Sequence, residues 1–182
     1  CELDESKLML TGSETITYHN NSPDALNYLW FQLDENQHST INNANYQNES
    51  TLPRQATIEF LEAVDKKKVD NGYGFNIKKL TDVKGQALKY TINKTMMKVE
   101  LPTPIPAGGK FIIKLDWNYK IIDRMNFMEF GGGRGGYEYF AEDGNYIFTM
   151  AQWYPRLCMY NDVYGWQNHQ FTGRGEFTLC FG

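Results

Sequence analysis

Lys110-Phe-Ile-Ile-Lys-Leu-Asp-Trp-Asn-Tyr-Lys120 is the stretch on which the fold turns. Phe111, Ile113, Leu115, Trp117 and Tyr119 share one parity, while Lys110, Lys114, Asp116, Asn118 and Lys120 share the other. Successive side chains of an extended chain point to opposite faces. This pattern therefore predicts a strand with its odd residues in a core and its even residues in water. Trp117, central on the apolar side, is expected to be buried.

Working outward, Pro102, Pro104 and Pro106 with Gly108-Gly109 predict a stiff connection into that strand, because proline fixes φ and has no N–H to donate. Leu88–Ile92 and Met97–Leu101 flank Asn93-Lys-Thr and predict a hairpin. Val83-Lys-Gly-Gln86 predicts a tight turn joining Phe75–Leu80 to that hairpin. Nearer the start, Thr15–His19 alternates and stops at the turn-forming loop Asn20-Asn-Ser-Pro-Asp24, after which Leu26–Leu33 resumes as a strand. One helix is expected over residues 55–67, with Pro53 ahead of it. Ile58, Leu61 and Val64 form a weak apolar stripe there, and Lys66-Lys-Lys68 lies near its end. The Asn-rich stretch 38–51 reads as an ordered surface loop. The expected fold is all-β over residues 1–182 as a single domain: twisted, mainly antiparallel sheets, saddle- or sandwich-like, with one short helix.

Composition narrows the function. A net charge of -4 argues against nucleic-acid binding, which needs a basic face. No apolar run reaches the roughly 18 to 20 residues that span a bilayer, and there is no signal-like apolar segment. The cysteines at 1, 158 and 180 form no CxxC pair, and their odd number cannot all pair internally. Asn20-Asn-Ser and Asn93-Lys-Thr fit the glycosylation sequon, a triplet too common to carry weight.

Tests for catalytic groups fail one by one. A zinc peptidase needs His-Glu-x-x-His on a helix, and His19, His38 and His169 have no such spacing, so no metal is expected in this chain. Gly131-Gly-Gly-Arg-Gly-Gly136 runs into Tyr137-Glu-Tyr-Phe140 rather than a helix N-terminus, which predicts a mobile glycine flap instead of a phosphate cradle. Cys158 sits among apolar residues with only Arg156 near it and reads as a small core side chain. The carboxylates Glu138, Glu142, Asp143, Asp162 and Glu176 show no acid/base spacing, and all but Asp162 read as solvated. No catalytic residue is assigned.

The stretch Phe148-Thr-Met-Ala-Gln-Trp-Tyr-Pro-Arg-Leu-Cys-Met-Tyr-Asn-Asp-Val-Tyr-Gly-Trp166 is instead dense in aromatics. A free-standing β-sandwich could use such a surface to bind carbohydrate or protein; packing into its own core is the competing use. The same stretch resembles the end of the N-terminal domain of the aminopeptidase N family of zinc metallopeptidases, the gluzincins, in bacterial form. Leu10-Thr-Gly-Ser-Glu-Thr-Ile-Thr-Tyr-His-Asn-Asn-Ser-Pro-Asp24, with Leu26–Asn36 after it, is similar to the first strands of that domain. Val99-Glu-Leu-Pro, Ile105-Pro-Ala-Gly-Gly-Lys and Leu115-Asp-Trp are similar to its central run, and Gly173-Arg-Gly-Glu-Phe177 to its end.

What the resemblance implies is a saddle of sheets, non-catalytic by itself, excised from a longer chain. It would dock on the catalytic domain of the same parent, where the zinc would lie. Gln152 matches the family's Gln or Glu beside the free N-terminus of a peptide substrate, with Trp153, Tyr154, Arg156 and Asp162 as cleft or interface residues. A periplasmic or secreted parent is favoured. The chain departs from the family at Tyr154-Pro-Arg-Leu-Cys-Met-Tyr-Asn-Asp-Val163, where Arg-x-Phe-Pro-Cys-x-Asp-x-Pro is usual.

Overall fold

The computed structural model describes residues 1–41, 55–66, 69–125 and 135–168. In chain order the first strands are β1 (Glu2–Asp4), β2 (Met9–His19), β3 (Leu26–Gln32), β4 (Asn76–Asp82), β5 (Tyr90–Asn93) and β6 (Met96–Ile105). Then come β7 (Lys110–Lys120), β8 (Gly136–Phe140), β9 (Asn145–Thr149), β10 (Arg156–Leu157), β11 (Met159–Asn161) and β12 (Gly165–Gln167). A short helix, α1, spans Ile58–Lys66 and a 3-10 turn spans Asp34–His38. One sheet has the order β1-β2-β7-β4 and the other β10-β3-β6-β5, while β8-β9 and β11-β12 are two-stranded. The strands pair antiparallel throughout, and the fold is all-β as the alternation predicts.

β7 is the spine of the first sheet, paired with β2 from Met9↔Lys120 to His19↔Lys110 and with β4 on its other edge. Ile113, Leu115, Trp117 and Tyr119 are buried and Phe111 is half-buried, while Lys110, Lys114 and Lys120 are exposed. Leu29, Phe31, Met97 and Val99 of the second sheet join these residues in one core, so the two sheets close on each other as a sandwich. Trp117 is 1% exposed and packs edge-on against Phe75 at 5.4 Å. Gly12 lies opposite it in register, and a Cβ there would overlap the indole ring. The missing side chain lets the ring lie close against β2.

The hairpin expected around Asn93 is β5–β6, turned by Lys94 with φ +57°. The turn ahead of it is also present: Asp82 Oδ1 accepts from the N–H groups of Lys84 and Gln86, both at 2.8 Å. The prolines depart from expectation, because β6 continues through Pro102 and Pro104 to Ile105. A register shift explains this. Tyr28 faces Glu100 but Leu26 faces Ile105, so the prolines fall in a bulge where no ladder N–H is needed.

Asn20, of the first sequon, is buried rather than displayed. It is 1% exposed, and its Nδ2 donates to the carbonyls of Asp24 (2.6 Å), Ile105 (2.9 Å) and Pro106 (3.1 Å).

The helix begins after Thr57, whose Oγ1 accepts from the N–H of Phe60 at 3.3 Å, but Ile58 and Leu61 are exposed rather than packed on the core. The β8–β9 hairpin joins the sandwich through the hydrogen bonds Tyr137 N–H to Ile122 O (2.8 Å) and Arg124 N–H to Tyr137 O (3.0 Å). Gly136, with φ +137°, permits that approach: a Cβ would stand 2.8 Å from the Ile122 carbonyl. Most of the expected glycine flap, most of the 38–51 loop, His169, Cys180 and Gly173–Phe177 lie outside the described residues.

Candidate functional site

After β9 the chain crosses the sandwich from Met150 to Pro155 before β10 adds to the edge of β3, with Arg156 opposite Gln32 and Leu157 opposite Phe31. Two anchors fix this crossing to β7. The Tyr119 hydroxyl donates to Met150 Sδ at 3.7 Å, and the Trp153 ring packs on Trp117 at 6.0 Å. Tyr154 meets Trp153 edge-on at 5.1 Å, and Pro155 is buried. Gln152 lies between the anchors, partly exposed, with φ +57°. A left-handed conformation at a non-glycine residue costs on the order of 1 kcal/mol or more and persists where the surroundings impose it.

Arg156 does not reach into open space. Its Nε and Nη2 donate to Asp34 Oδ2 at 3.0 and 2.8 Å, and Gln32 Nε2 donates to Asp34 Oδ1 at 2.9 Å. Burial raises the Asp34 carboxyl above its ordinary value, opposed by the guanidinium beside it. Arg156 thus clamps β10 to the 3-10 turn. Cys158 is buried, as expected of a small core side chain, and desolvation pushes its thiol up to about 11. Asp162 is exposed on the β11–β12 turn and lines a depression to which none of the other four candidates contributes. Trp153 and Tyr154 follow Gln152 along the crossing and Arg156 opens β10 after it, turned to Asp34, whereas Asp162 belongs elsewhere.

Two acidic features escaped the sequence reading. Glu14 stands on β2 with the parity of Gly12, Ile16 and Tyr18, and its Oε1 is buried without a hydrogen-bond partner. Burial pushes its carboxyl up to about 8. Trp117 Nε1 is also buried and unpaired, and Tyr154 is close enough to Glu14 for its phenol to be raised by that carboxylate as well as by burial. The signal was the parity itself, since an acid in register with Ile16 and Tyr18 must share their face. The other is Glu35 on the 3-10 turn, pushed up to about 8 by burial and the neighbouring Asp34 carboxylate. His38 Nε2 lies 3.9 Å from it and is pushed down to about 4 by burial, so burial disfavours the charged form of each. The two stand at i and i+3, which a 3-10 turn eclipses, but the sequence reading placed no such turn there.

Among the described residues no three His, Cys, Asp or Glu side chains are grouped to hold a metal ion, and no helix is long and apolar enough to cross a membrane. Compared with protein-family models, with curated proteins and with solved structures, the chain gives no match.

Proposed function

We propose that this chain is the non-catalytic N-terminal β domain of a zinc-dependent aminopeptidase, docked on the catalytic domain of its parent and supplying Gln152 to the substrate cleft. The observation that carries the reading is the posture of Gln152. It is held left-handed and partly exposed between Met150 and Trp153, both anchored on the spine strand. A backbone fixed in this way sets the direction in which the side chain leaves the chain, and a carboxamide oxygen accepts a hydrogen bond from an ammonium group. The four sequence segments that resemble the aminopeptidase N family, in family order, supply the substrate class: the free N-terminus of a peptide.

The docking surface in this reading is the β8–β9 hairpin, which leads directly into the Gln152 crossing. Tyr139, Phe140, Tyr146 and Ile147 are all exposed on it. The Tyr139 and Tyr146 rings meet at 4.8 Å between centroids, tilted by 42°, outside the sandwich core. Clustered exposed aromatics on a small domain are characteristic of a surface that another body covers.

The test is kinetic and uses the full-length parent. Gln152→Ala should lower kcat/KM for substrates with a free N-terminus by about 1 to 3 kcal/mol in transition-state terms, and leave N-blocked substrates nearly unchanged. Equal effects on the two classes would remove Gln152 from substrate recognition.

A further inference from the structure

A depression of about 390 Å3 lies between the β2–β3 loop and the β11–β12 hairpin, on residues separate from the Gln152 crossing. We propose that it is a binding site for a neutral saccharide of one or two rings. The inference does not depend on the aminopeptidase reading, because Gln152, Trp153, Tyr154 and Arg156 take no part in it.

Its size falls near the lower end of the range of about 300–1,000 Å3 typical of small-molecule sites. Tyr18 of β2 and Tyr160 of β11 line it, and Trp166 packs against both rings, at 6.1 and 5.3 Å between centroids. Tyr28 lies on Trp166 at 6.2 Å and is in turn covered by the Lys98 ammonium at 4.3 Å. Phenol faces carry negative charge density and attract the polarised C–H face of a pyranose ring. Around the rings the polar lining mixes donors with acceptors: His19, Asn21 and Ser22 on one wall, Asn161 and Asp162 on the other. A sugar hydroxyl both donates and accepts, which suits a mixed lining; a cation would need acceptors alone. Among the described residues no lysine or arginine lines the depression, so they offer a phosphate or sulfate no counter-charge there.

Both walls are fixed before any ligand arrives. Asn20 ties the β2–β3 loop to the end of β6 and accepts from the Ser22 hydroxyl at 2.7 Å. Asn161 Oδ1 accepts from the N–H groups of Val163 (2.8 Å) and Tyr164 (3.2 Å), which sets the hairpin turn. The Tyr160 hydroxyl donates to Asp24 Oδ2 at 2.8 Å and bridges the two walls. A site that needs no ordering on binding retains more of its contact energy.

The experiment titrates the whole chain with methyl glycosides, cellobiose, maltose, mannobiose and chitobiose. Binding is followed by Trp fluorescence and by backbone amide shifts in NMR. The expected result is saturable binding of at least one sugar with Kd on the order of 1 mM or tighter, with shifts confined to residues 18–23 and 159–166. Tyr18→Ala should weaken it about tenfold, the loss of one stacking face. Asp162→Asn, at an exposed position where folding is not at risk, should weaken it several-fold or change the preferred sugar, while Lys79→Ala, exposed on β4 and outside the lining, should not alter it. The proposal falls if no sugar shifts these amides, if binding ignores both site substitutions, or if tetramethylammonium saturates the site where sugars do not.

Discussion

Glu14 places a carboxyl where its Oε1 has neither solvent nor a hydrogen-bond partner, and burial raises its proton affinity to about 8. In the unfolded chain the same group titrates near its ordinary value of 4.5. Between those two values the folded state keeps a proton that the unfolded state releases, so stability falls as pH rises from about 4.5 to about 8. Glu14→Gln keeps the shape and removes the charge. It should be more stable than the parent at pH 8 by a few kcal/mol, and equal or slightly less stable at pH 4. Glu35, raised in the same sense, contributes a second slope of the same sign. Urea unfolding across pH 4–9 separates them, and a Glu14→Gln profile parallel to the parent's would place the titration elsewhere. Gln152 gives the second prediction at this scale. With φ +57°, Gln152→Gly should hold or raise Tm, whereas Gln152→Val should lower it, by a difference of about 1 to 2 kcal/mol.

Between elements, the Arg156–Asp34 pair joins β10 to the 3-10 turn with side chains only 22% and 12% exposed. Arg156→Ala leaves Asp34 buried beside Glu35 without its counter-charge and should cost about 3 kcal/mol; Arg156→Ala with Asp34→Asn should recover part of that loss in a double-mutant cycle. Trp117→Ala, which removes the ring that joins Phe75, Trp153 and Tyr119, should cost about 3 to 5 kcal/mol. The strand holding Trp117 was legible because its signal is local, five apolar residues at period two. The β5–β6 hairpin and the helix were legible as local signals too, whereas the β8–β9 and β11–β12 hairpins were not read from the sequence. The extension of β6 through Pro102 and Pro104 was not, because only the partner strand β3 and its register shift show that those positions need no N–H. Nor was the task of Arg156 legible, since its carboxylate lies 122 positions away. Gln152 could be singled out by resemblance, but its left-handed backbone follows from anchors at Met150 and Trp153 that no spacing encodes.

At the scale of the whole molecule, the two sheets share one core; Gln152, Trp153 and Tyr154 fall on a connection, Arg156 on the edge strand β10 and Asp162 on a hairpin turn. The sequence holds no His-Glu-x-x-His, and among the described residues no metal-ligating side chains are grouped. The chain alone should therefore retain no stoichiometric zinc after dialysis, by elemental analysis, and should not hydrolyse aminoacyl anilides; one tightly held equivalent with activity would reverse that expectation. The β8–β9 hairpin has a further consequence. Tyr137 and Phe148 at its base pack on the core, but Tyr139, Phe140, Tyr146 and Ile147 toward its tip do not. Local opening there needs no separation of the two sheets, so amide protons at the tip should exchange with solvent far faster than those of Ile113 or Val99, whose release requires global unfolding. Whatever body seats on the tip will slow exchange in that hairpin alone, and the map of slowed amides will outline its footprint.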